Sequence, residues 1–170
     1  MFPFFVRSAM GVHFRGTYEY TMDSKGRVAV PKKFREGLLG VHDDYMGKEI
    51  VVTCGLSSQL FVFSPDGFDD FARRYDALPS QDAELLDRYF GAGSFDCVLD
   101  AQGRILIPNQ SKVFAGLTKD VVWVGQRGHV ELWSADRWKE AVEAVQKGIF
   151  LTSNPIIKEV YAKIDFNSPL

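Results

Sequence analysis

The chain has 170 residues and a formal net charge of −2, with 46% hydrophobic and 25% charged residues. These values are typical of a globular protein and exclude wholesale disorder. They also exclude a protein that binds nucleic acid through bulk positive charge, so any surface for nucleic acid must be local. The length is enough for one domain, or for two small domains with a real core.

The first residues form a short apolar run, 1–6, followed by Arg7. This run is too short for an export signal, Pro3 interrupts it, and its basic residue follows the run instead of preceding it. No later stretch approaches the ~20 apolar residues of a membrane helix. We therefore expect a cytoplasmic protein without membrane contact, in which residues 1–13 are an N-terminal extension.

The main feature of the sequence is an internal repeat. Residues 16–31, GTYEYTMDSKGRVAVP, align with residues 93–108, GSFDCVLDAQGRILIP, at a constant offset of 77, and five of the sixteen positions are identical. The correspondence resumes at an offset of 70, where Gly55 matches Gly125. The first copy therefore carries about seven extra residues, which we place within 37–49, where Gly and charged residues cluster as in a loop.

Each copy begins with a predicted strand, tight turn and returning strand. Residues 17–22 alternate between apolar and polar side chains, as in a half-buried strand. In the turn over 23–26, Asp can accept backbone N–H groups and Gly can adopt a positive φ. The returning strand directs Arg27 to solvent and both Val28 and Val30 to the core.

Helices are predicted after each strand pair. Pro31 suits the first position of a short helix, because its missing N–H costs nothing there. Strands at 51–53 and 60–63 form a second pair, and Ser64-Pro65-Asp66 is typical of a helix start. The apolar stripe that follows indicates core packing in both copies and not a cofactor site; its residues are Phe68, Phe71, Ala72 and Tyr75, echoed by Trp138, Ala141, Val142 and Val145.

Two further helical segments lie outside the repeat. Residues 79–90 predict a linking helix capped by Ser80, and the tail, 148–170, has a helical apolar pattern bounded by Pro155 and Pro169. One copy of about fifty residues is marginal for its own core. We therefore predict an α+β, mainly β fold in which the copies complete each other as a pseudo-twofold unit; the expected segments are domain 1 at 14–64, linking helices at 65–92, domain 2 at 93–136 and C-terminal helices and tail at 137–170.

The repeated motif Asp-x-x-Gly-Arg places an arginine just past a tight bend, at Arg27 and at Arg104. Such an arginine can bind phosphate through two hydrogen bonds or read guanine in the major groove, which accepts a two-stranded β-ribbon. Residues 13–35 contain six basic and two acidic residues, whereas residues 66–100 contain nine acidic and three basic residues. The basic residues of the first segment are Arg15, Lys25, Arg27, Lys32, Lys33 and Arg35.

Copy two lacks this charge, because Gln102 stands where copy one has Lys25. We predict that copy one makes most of the contacts to DNA, with Gln102 and Arg104 as helpers. The residues expected to shape the two turns are Asp23, Gly26, Pro31, Asp100, Gly103 and Pro108.

Other interpretations of the motif are a structural corner, in which Asp and Arg merely pair, and a catalytic pair of Asp23 with Asp100. An aspartic-protease pair requires Asp-Thr-Gly, which is absent, and the three histidines have no spacing for a triad or a metal. Cys54 and Cys97 have neither disulfide nor zinc spacing and are expected to be buried strand residues. We expect no enzyme activity, no cofactor, no metal and no small-molecule ligand.

The motifs closely resemble those of the MraZ family, in residues 14–36, then 100–108 and 130–133, and the resemblance extends over 14–143. It implies two tandem SpoVT-AbrB-type swapped-hairpin domains of the cradle-loop barrel type. It also implies a nucleoid-associated bacterial transcriptional regulator of the division and cell-wall gene cluster. The resemblance implies, in addition, a ring-shaped homo-oligomer that binds repeated double-stranded DNA boxes upstream of its own operon.

The DNA-contacting motif of the family carries over to Arg27 and Arg104, with Lys25 and Gln102 beside them, and Arg15 matches its N-terminal basic residue. The main alternative is an antitoxin, since AbrB-like hairpins also occur in antitoxins. Those usually join one such domain to a disordered toxin-binding tail, whereas the tail here is apolar and helical. An oligomeric scaffold is a third interpretation.

Overall fold

The computed structural model describes residues 12–149 and 154–168. The strands are β1 Thr17–Thr21, β2 Arg27–Ala29, β3 Glu49–Cys54, β4 Leu60–Phe63, β5 Phe95–Val98, β6 Arg104–Leu106, β7 Asp120–Gly125 and β8 Val130–Ser134. The helices are α1 Lys32–Leu39, α2 Pro65–Asp76, α3 Ser80–Leu86, α4 Asn109–Ala115, α5 Ala135–Gln146 and α6 Pro155–Tyr161, and a π-helical turn, Asp87–Gly91, continues α3. Apart from Val12 and His13, the predicted N-terminal extension lies outside the described residues, as does Pro169.

The strands form a six-stranded antiparallel sheet, ordered β1-β7-β8-β4-β3-β5, and a two-stranded antiparallel ribbon of β2 and β6, called the ribbon below. The sheet order is symmetric, because each strand and its counterpart in the other copy occupy equivalent positions counted from opposite edges of the sheet. Thr17 of β1 lies opposite Val124 of β7, and Phe95 of β5 lies opposite Val52 of β3. The first strand of each copy therefore completes the sheet of the other copy.

The sheet is covered on both faces. On one face, the central core joins Val28 and Ile105 of the ribbon, and Phe34 of α1, to sheet residues such as Trp123 and Leu132. The opposite face contacts α2, α3, α5 and α6 through two smaller hydrophobic clusters, an aromatic cluster around Phe71 and a cluster around Trp133. Because side chains alternate along a strand, neighbouring residues of β4 and β7 belong to different layers. The ribbon and the helices α2, α3, α5 and α6 thus lie on opposite sides of the sheet.

The mixed α+β class is confirmed, but the prediction of mainly β structure is wrong. The helices contain more of the described residues than the strands do. The excess comes from α2, α3, α5 and α6, which cover the central strands on a sheet face that short strands alone would leave in water. Within the described part of the chain, none of these helices combines the length and apolar character needed to cross a bilayer.

The starts of the helices differ from the predictions in two places. Pro31 precedes α1 as its capping residue, and its carbonyl accepts hydrogen bonds from the N–H groups of Phe34 and Arg35. Ser64 caps α2 as predicted, since its side chain accepts from Gly67 N–H. Ser80 does not cap α3: it is the first helical residue, and no side-chain hydrogen bond caps that end.

The extra residues of copy one lie in two places and not in one. Met22 N–H donates to the carbonyl of Lys119, and the equivalent Leu99 N–H donates to Lys48, so the offset has fallen from 77 to 71 before β3. Six extra residues therefore precede Lys48, within the predicted segment. The seventh lies further along the chain.

That seventh residue lies in the turn of the second hairpin. Cys54 is opposite Leu60, and Gly125 is opposite Val130, so Cys54 is the structural counterpart of Gly125. The sequence match of Gly55 with Gly125 is thus displaced by one position. The physical reason is that strand register follows cross-strand hydrogen bonds, whereas an alignment of two glycines follows residue type alone.

The predicted apolar helices are confirmed as core in copy one and, except for the exposed Ile156, in the described part of the tail, but only partly in copy two. Phe71 and Tyr75 are buried, and Ile157 and Val160 of α6 pack against the same cluster. In copy two, Val145 of α5 is exposed and Val142 is partly exposed, at 36%. The two cysteines are unpaired strand residues, and burial, with Asp96 nearby, raises the pKa of Cys97 to about 12.

Candidate nucleic-acid interface

The turn of copy one is built around the carboxylate of Asp23. Its Oδ1 accepts hydrogen bonds from the N–H groups of Lys25 and Arg27, at 3.0 and 2.9 Å. Its Oδ2 accepts from Arg27 Nε at 2.7 Å. Gly26 has φ +84°, which only glycine adopts readily, and its N–H donates to the Asp23 carbonyl at 3.0 Å. The turn predicted from the sequence is thus confirmed.

The turn of copy two has the same geometry. Asp100 Oδ1 accepts from the N–H groups of Gln102 and Arg104, both at 2.9 Å, and Oδ2 accepts from Arg104 Nε at 2.8 Å. Gly103 has φ +73°. Two segments that share only five identical residues therefore fold to the same hydrogen-bonded turn, since those five include the residues whose side chains or φ values it requires.

Both turn carboxylates are held in the ionised form. Backbone and side-chain hydrogen bonds from Arg27 lower the pKa of Asp23. Partial burial acts to raise the pKa of Asp100, but the hydrogen bonds from Arg104 outweigh it, so this pKa is lowered as well. At neutral pH each carboxylate thus fixes the direction of its arginine. The Asp–Arg pairing of a structural corner is present, and it also orients the guanidinium groups.

The two arginines differ in how much of the guanidinium the chain itself uses. The hydrogen bonds of Arg27 within the described chain involve its backbone N–H and its Nε. Arg104 has additional neighbours, because its Nη1 lies 3.9 Å from Asp23 Oδ2 and its Nη2 lies 3.5 Å from Gln102 Oε1. The outer nitrogens of Arg27 are therefore more available to a ligand.

The outer face of the ribbon carries both arginines. Arg27 lies opposite Leu106, and Ala29 lies opposite Arg104, while the central pair of Val28 and Ile105 is buried beneath them. Because directly opposed residues of an antiparallel pair point to the same side, the two motifs form one continuous surface. The fold thus combines two distant sequence motifs into a single site.

Each turn is supported by a basic side chain from the other copy. Arg35 lies against Gly103, where a larger residue would collide with its guanidinium, and its Nη1 donates to the Val30 carbonyl at 2.6 Å. Lys112, the counterpart of Arg35 at an offset of 77, lies in the same way against Gly26. Lys112 is not among the DNA-binding residues predicted from the sequence, although its equivalence with Arg35 at an offset of 77 was the available signal.

The remaining predicted basic residues are distributed unevenly. Lys25 is exposed at the tip of its turn, and Lys32 and Lys33 are exposed in the first turn of α1, directly after β2. Arg15 lies beyond the far end of β1, where the neighbouring Phe14 N–H donates to the carbonyl of Gln126. At about 3.3 Å per residue, the length of β1 separates Arg15 from the turn by roughly 20 Å. The structure therefore brings Lys25, Gln102 and the two motif arginines together and leaves Arg15 apart.

Most acidic residues of the segment 66–100 lie on the other side of the sheet. Seven of the nine acidic residues of 66–100 belong to α2, α3 or the π-helical turn: Asp66, Asp69, Asp70, Asp76, Asp82, Glu84 and Asp87. These elements cover the sheet face opposite the ribbon. A near-neutral chain thus has a basic side and an acidic side. Residues 12–149 and 154–168 contain no group of three or more His, Cys, Asp or Glu placed to hold a metal ion.

Comparison with known proteins supports the internal repeat, because one family profile matches two consecutive segments of the chain. The family profile described as "MraZ protein, putative antitoxin-like" matches residues 13–88 and again residues 90–151. The chain is 43% identical over 127 residues to a transcriptional regulator MraZ of Lachnoclostridium phytofermentans. The aligned region covers 74% of this chain and 84% of that relative. It is 41% identical over 135 residues to the protein of the same name in Carboxydothermus hydrogenoformans, covering 78% and 89% of the two chains.

Proposed function

The chain belongs to the MraZ family of transcriptional regulators, and on that premise we propose that its ribbon binds the major groove of double-stranded promoter DNA. The observation that carries this proposal is the placement of Arg27 and Arg104 on one outward face of two paired strands. A two-stranded ribbon fits the major groove, and arginine is the side chain best suited to guanine and to phosphate there. The hydrogen bonds that Arg27 and Arg104 donate to Asp23 and Asp100 orient both arginines before DNA arrives.

Charge supports the same orientation on DNA. Lys25, Lys32 and Lys33 are exposed near the ribbon, where phosphates would lie along the edges of the groove. The acidic helices α2 and α3 lie behind the sheet and would face away from the duplex. Arg35 acts on binding through the turn that it supports. Arg15 reaches DNA only at a position well removed from the ribbon.

The finer features implied by the family are part of the same proposal. The exchange of first strands between copies fits the swapped-hairpin barrel of SpoVT-AbrB-type domains. A homo-oligomeric ring would present several ribbons at once, so that repeated promoter boxes are bound with avidity by individually small contacts. We infer that the protein controls the division and cell-wall gene cluster by binding boxes upstream of its own operon. We also infer that it acts in the bacterial cytoplasm, associated with the nucleoid.

An antitoxin is the rival from another class, and the tail argues against it. In antitoxins of this type the tail is free to fold on a toxin, whereas here Ile157 and Val160 are buried against the aromatic cluster of the chain itself. An oligomeric scaffold without sequence preference is the second rival. It predicts equal affinity for promoter DNA and for unrelated DNA of the same length.

The test measures binding to the DNA upstream of the chain's own gene, over a series of salt concentrations. Each well-placed arginine contact is worth about 1–3 kcal/mol. Of the two motif arginines, Arg27 has fewer neighbours within the described chain, so its guanidinium is more available to DNA. We therefore expect about a hundredfold loss for Arg27→Ala and about a tenfold loss for Arg104→Ala. Lys33→Ala should mainly flatten the salt dependence, by about one unit of slope per lost phosphate contact.

The matched control is Arg88→Ala, which removes an exposed arginine from the acidic side of the molecule. It should leave binding unchanged. A larger loss for Arg104→Ala than for Arg27→Ala would contradict the inequality of the two copies. Equal binding of unrelated DNA by the unaltered chain would instead favour the scaffold.

A further inference from the structure

The outer face of the ribbon contains one large apolar side chain that is exposed in the described structure. Leu106 is 58% exposed, whereas its neighbour Ile105 is 1% exposed and belongs to the central core. Strand alternation turns Leu106 outward with Arg104. Single exposed apolar residues are common on protein surfaces, so the exposure of Leu106 gains meaning only from what surrounds it.

Leu106 lies among the groups proposed to read DNA. It is opposite Arg27 in the register of the ribbon. Backbone hydrogen bonds join Val30 to Gly103 and Ile107 to Gly26, so the alternation of antiparallel pairing makes Arg27 and Leu106 a non-hydrogen-bonded pair. In such pairs the Cα atoms are about 4.5 Å apart and the side chains lie close together. An apolar side chain therefore lies directly across the ribbon from Arg27, the arginine with the more available guanidinium.

The symmetry of the ribbon makes this position unequal in the two copies. The counterpart of Leu106 is Ala29, which faces Arg104 across the ribbon. One half of the ribbon thus presents arginine with leucine, and the other half presents arginine with alanine. A ligand that contacts both halves meets a bulky apolar group on one side only.

The edge of a base pair in the major groove carries the chemistry that matches arginine beside leucine. Guanine offers the acceptors O6 and N7, and thymine offers a 5-methyl group, which apolar side chains contact. We propose that Leu106 contacts the 5-methyl group of a thymine next to the guanine bound by Arg27, and so adds sequence preference to one half of the ribbon. This inference rests on the proposed function.

The test removes only the methyl group. The DNA upstream of the chain's own gene is prepared once with thymine and once with uracil throughout, and both forms are titrated with the full chain. Losing the burial of one methyl group should weaken binding about fourfold for each contact. Equal affinity for the two forms overturns the proposal, and this measurement requires no variant that might misfold.

Variants then assign the effect to Leu106. Leu106→Ala should bind thymine and uracil DNA equally, whereas Leu106→Met, which keeps an apolar side chain of similar length, should still prefer thymine. Ile156→Ala is the matched control, because Ile156 is a similarly exposed apolar residue on α6, behind the sheet; it should behave as the unaltered chain. A preference for thymine that persists in Leu106→Ala contradicts the assignment.

Failure of this inference is distinguishable from failure of the proposed function. If the unaltered chain binds neither form of the promoter DNA, DNA binding itself is refuted. If it binds both forms equally and Arg27→Ala abolishes binding, the ribbon binds DNA and the methyl contact does not exist. If Leu106→Ala alters the mass of the oligomer and leaves the thymine preference intact, Leu106 is a contact between chains and the proposal is overturned.

Discussion

The two copies of the repeat share one turn but cover their hairpins in different ways. The hairpin of β3 and β4 in copy one packs against α2, α3, the π-helical turn and α6, through an aromatic cluster that includes Phe61, Phe63, Phe71 and Phe90. The hairpin of β7 and β8 in copy two packs through a much smaller cluster, against α5. The turn is thus specified locally, whereas much of the outer core of copy one comes from α3, the π-helical turn and α6, which lie outside the repeat.

A single position illustrates the difference. Phe71 of α2 stacks on Phe63 with ring centroids 5.2 Å apart, and its counterpart at an offset of 70 is Ala141 of α5. Beside Ala141 lies an open groove of about 430 Å³, lined partly by Trp133 and Trp138. Among the described residues, copy two therefore has an open groove beside the position at which copy one has a packed aromatic ring.

The largest expected effect comes from giving copy one the residue of copy two. Phe71→Ala removes a side chain that is 1% exposed and should lower the free energy of unfolding by about 3–5 kcal/mol, as is usual for such core truncations. Urea unfolding of the full chain measures the loss. Val142→Ala, at the partly exposed end of the groove in copy two, is the control and should cost less than about 1 kcal/mol. Equal losses would show that the two outer cores contribute alike.

A second prediction concerns Cys54 and Gly125, which are structural counterparts in the two copies. A Cβ added to Gly125 would lie 2.5 Å from the Phe14 carbonyl carbon, so the chain entering β1 would have to move. We expect Gly125→Ala to lower the free energy of unfolding by about 2 kcal/mol. Cys54→Ala, at the equivalent position of copy one, should cost no more than about 1 kcal/mol, because a side chain already fits there. Thermal unfolding of both variants tests this, and a harmless Gly125→Ala would refute the close approach.

The smallest expected effect is a change of charge that makes the two turns alike. Gln102→Lys gives copy two the residue that Lys25 supplies in copy one and removes the amide oxygen near Arg104 Nη2. Promoter binding should become a few-fold tighter, and the slope of log affinity against log salt should steepen by about 0.9 for each new phosphate contact. Lys25→Gln should change the slope by a similar amount in the opposite direction. An unchanged slope in Gln102→Lys would mean that copy two does not approach phosphate.

The turns and most element positions could be predicted from the sequence, because their causes are local. Asp23 and Gly26 define a turn through a carboxylate and a positive φ, and alternation around Val28 defines which side of the strand is buried. Strand partners have no such local signal. Nothing in the alternation of residues 17–22 says that β1 pairs with β7, about one hundred residues later.

The contacts between copies were likewise beyond prediction. The basic residue Arg35 counted toward a DNA surface in the sequence, yet its guanidinium packs beneath the turn of the other copy. Leu106 could have been assigned to the outer face by alternation, but its position opposite Arg27 depends on a register that only the folded ribbon defines. The predicted DNA-binding residues remain predictions, to be tested by the variants above.

The exchange of first strands also determines when each strand can meet its partner during synthesis. Thr17 pairs with Val124, so β1 stays without its partner strand until the ribosome has synthesised nearly the whole second copy. Until β5 has been synthesised, β3 also lacks this neighbour, and the nascent first copy has open strand edges. Contacts between such distant residues form slowly. Each emerging chain therefore passes through a period in which a neighbouring nascent chain can compete with its own second half.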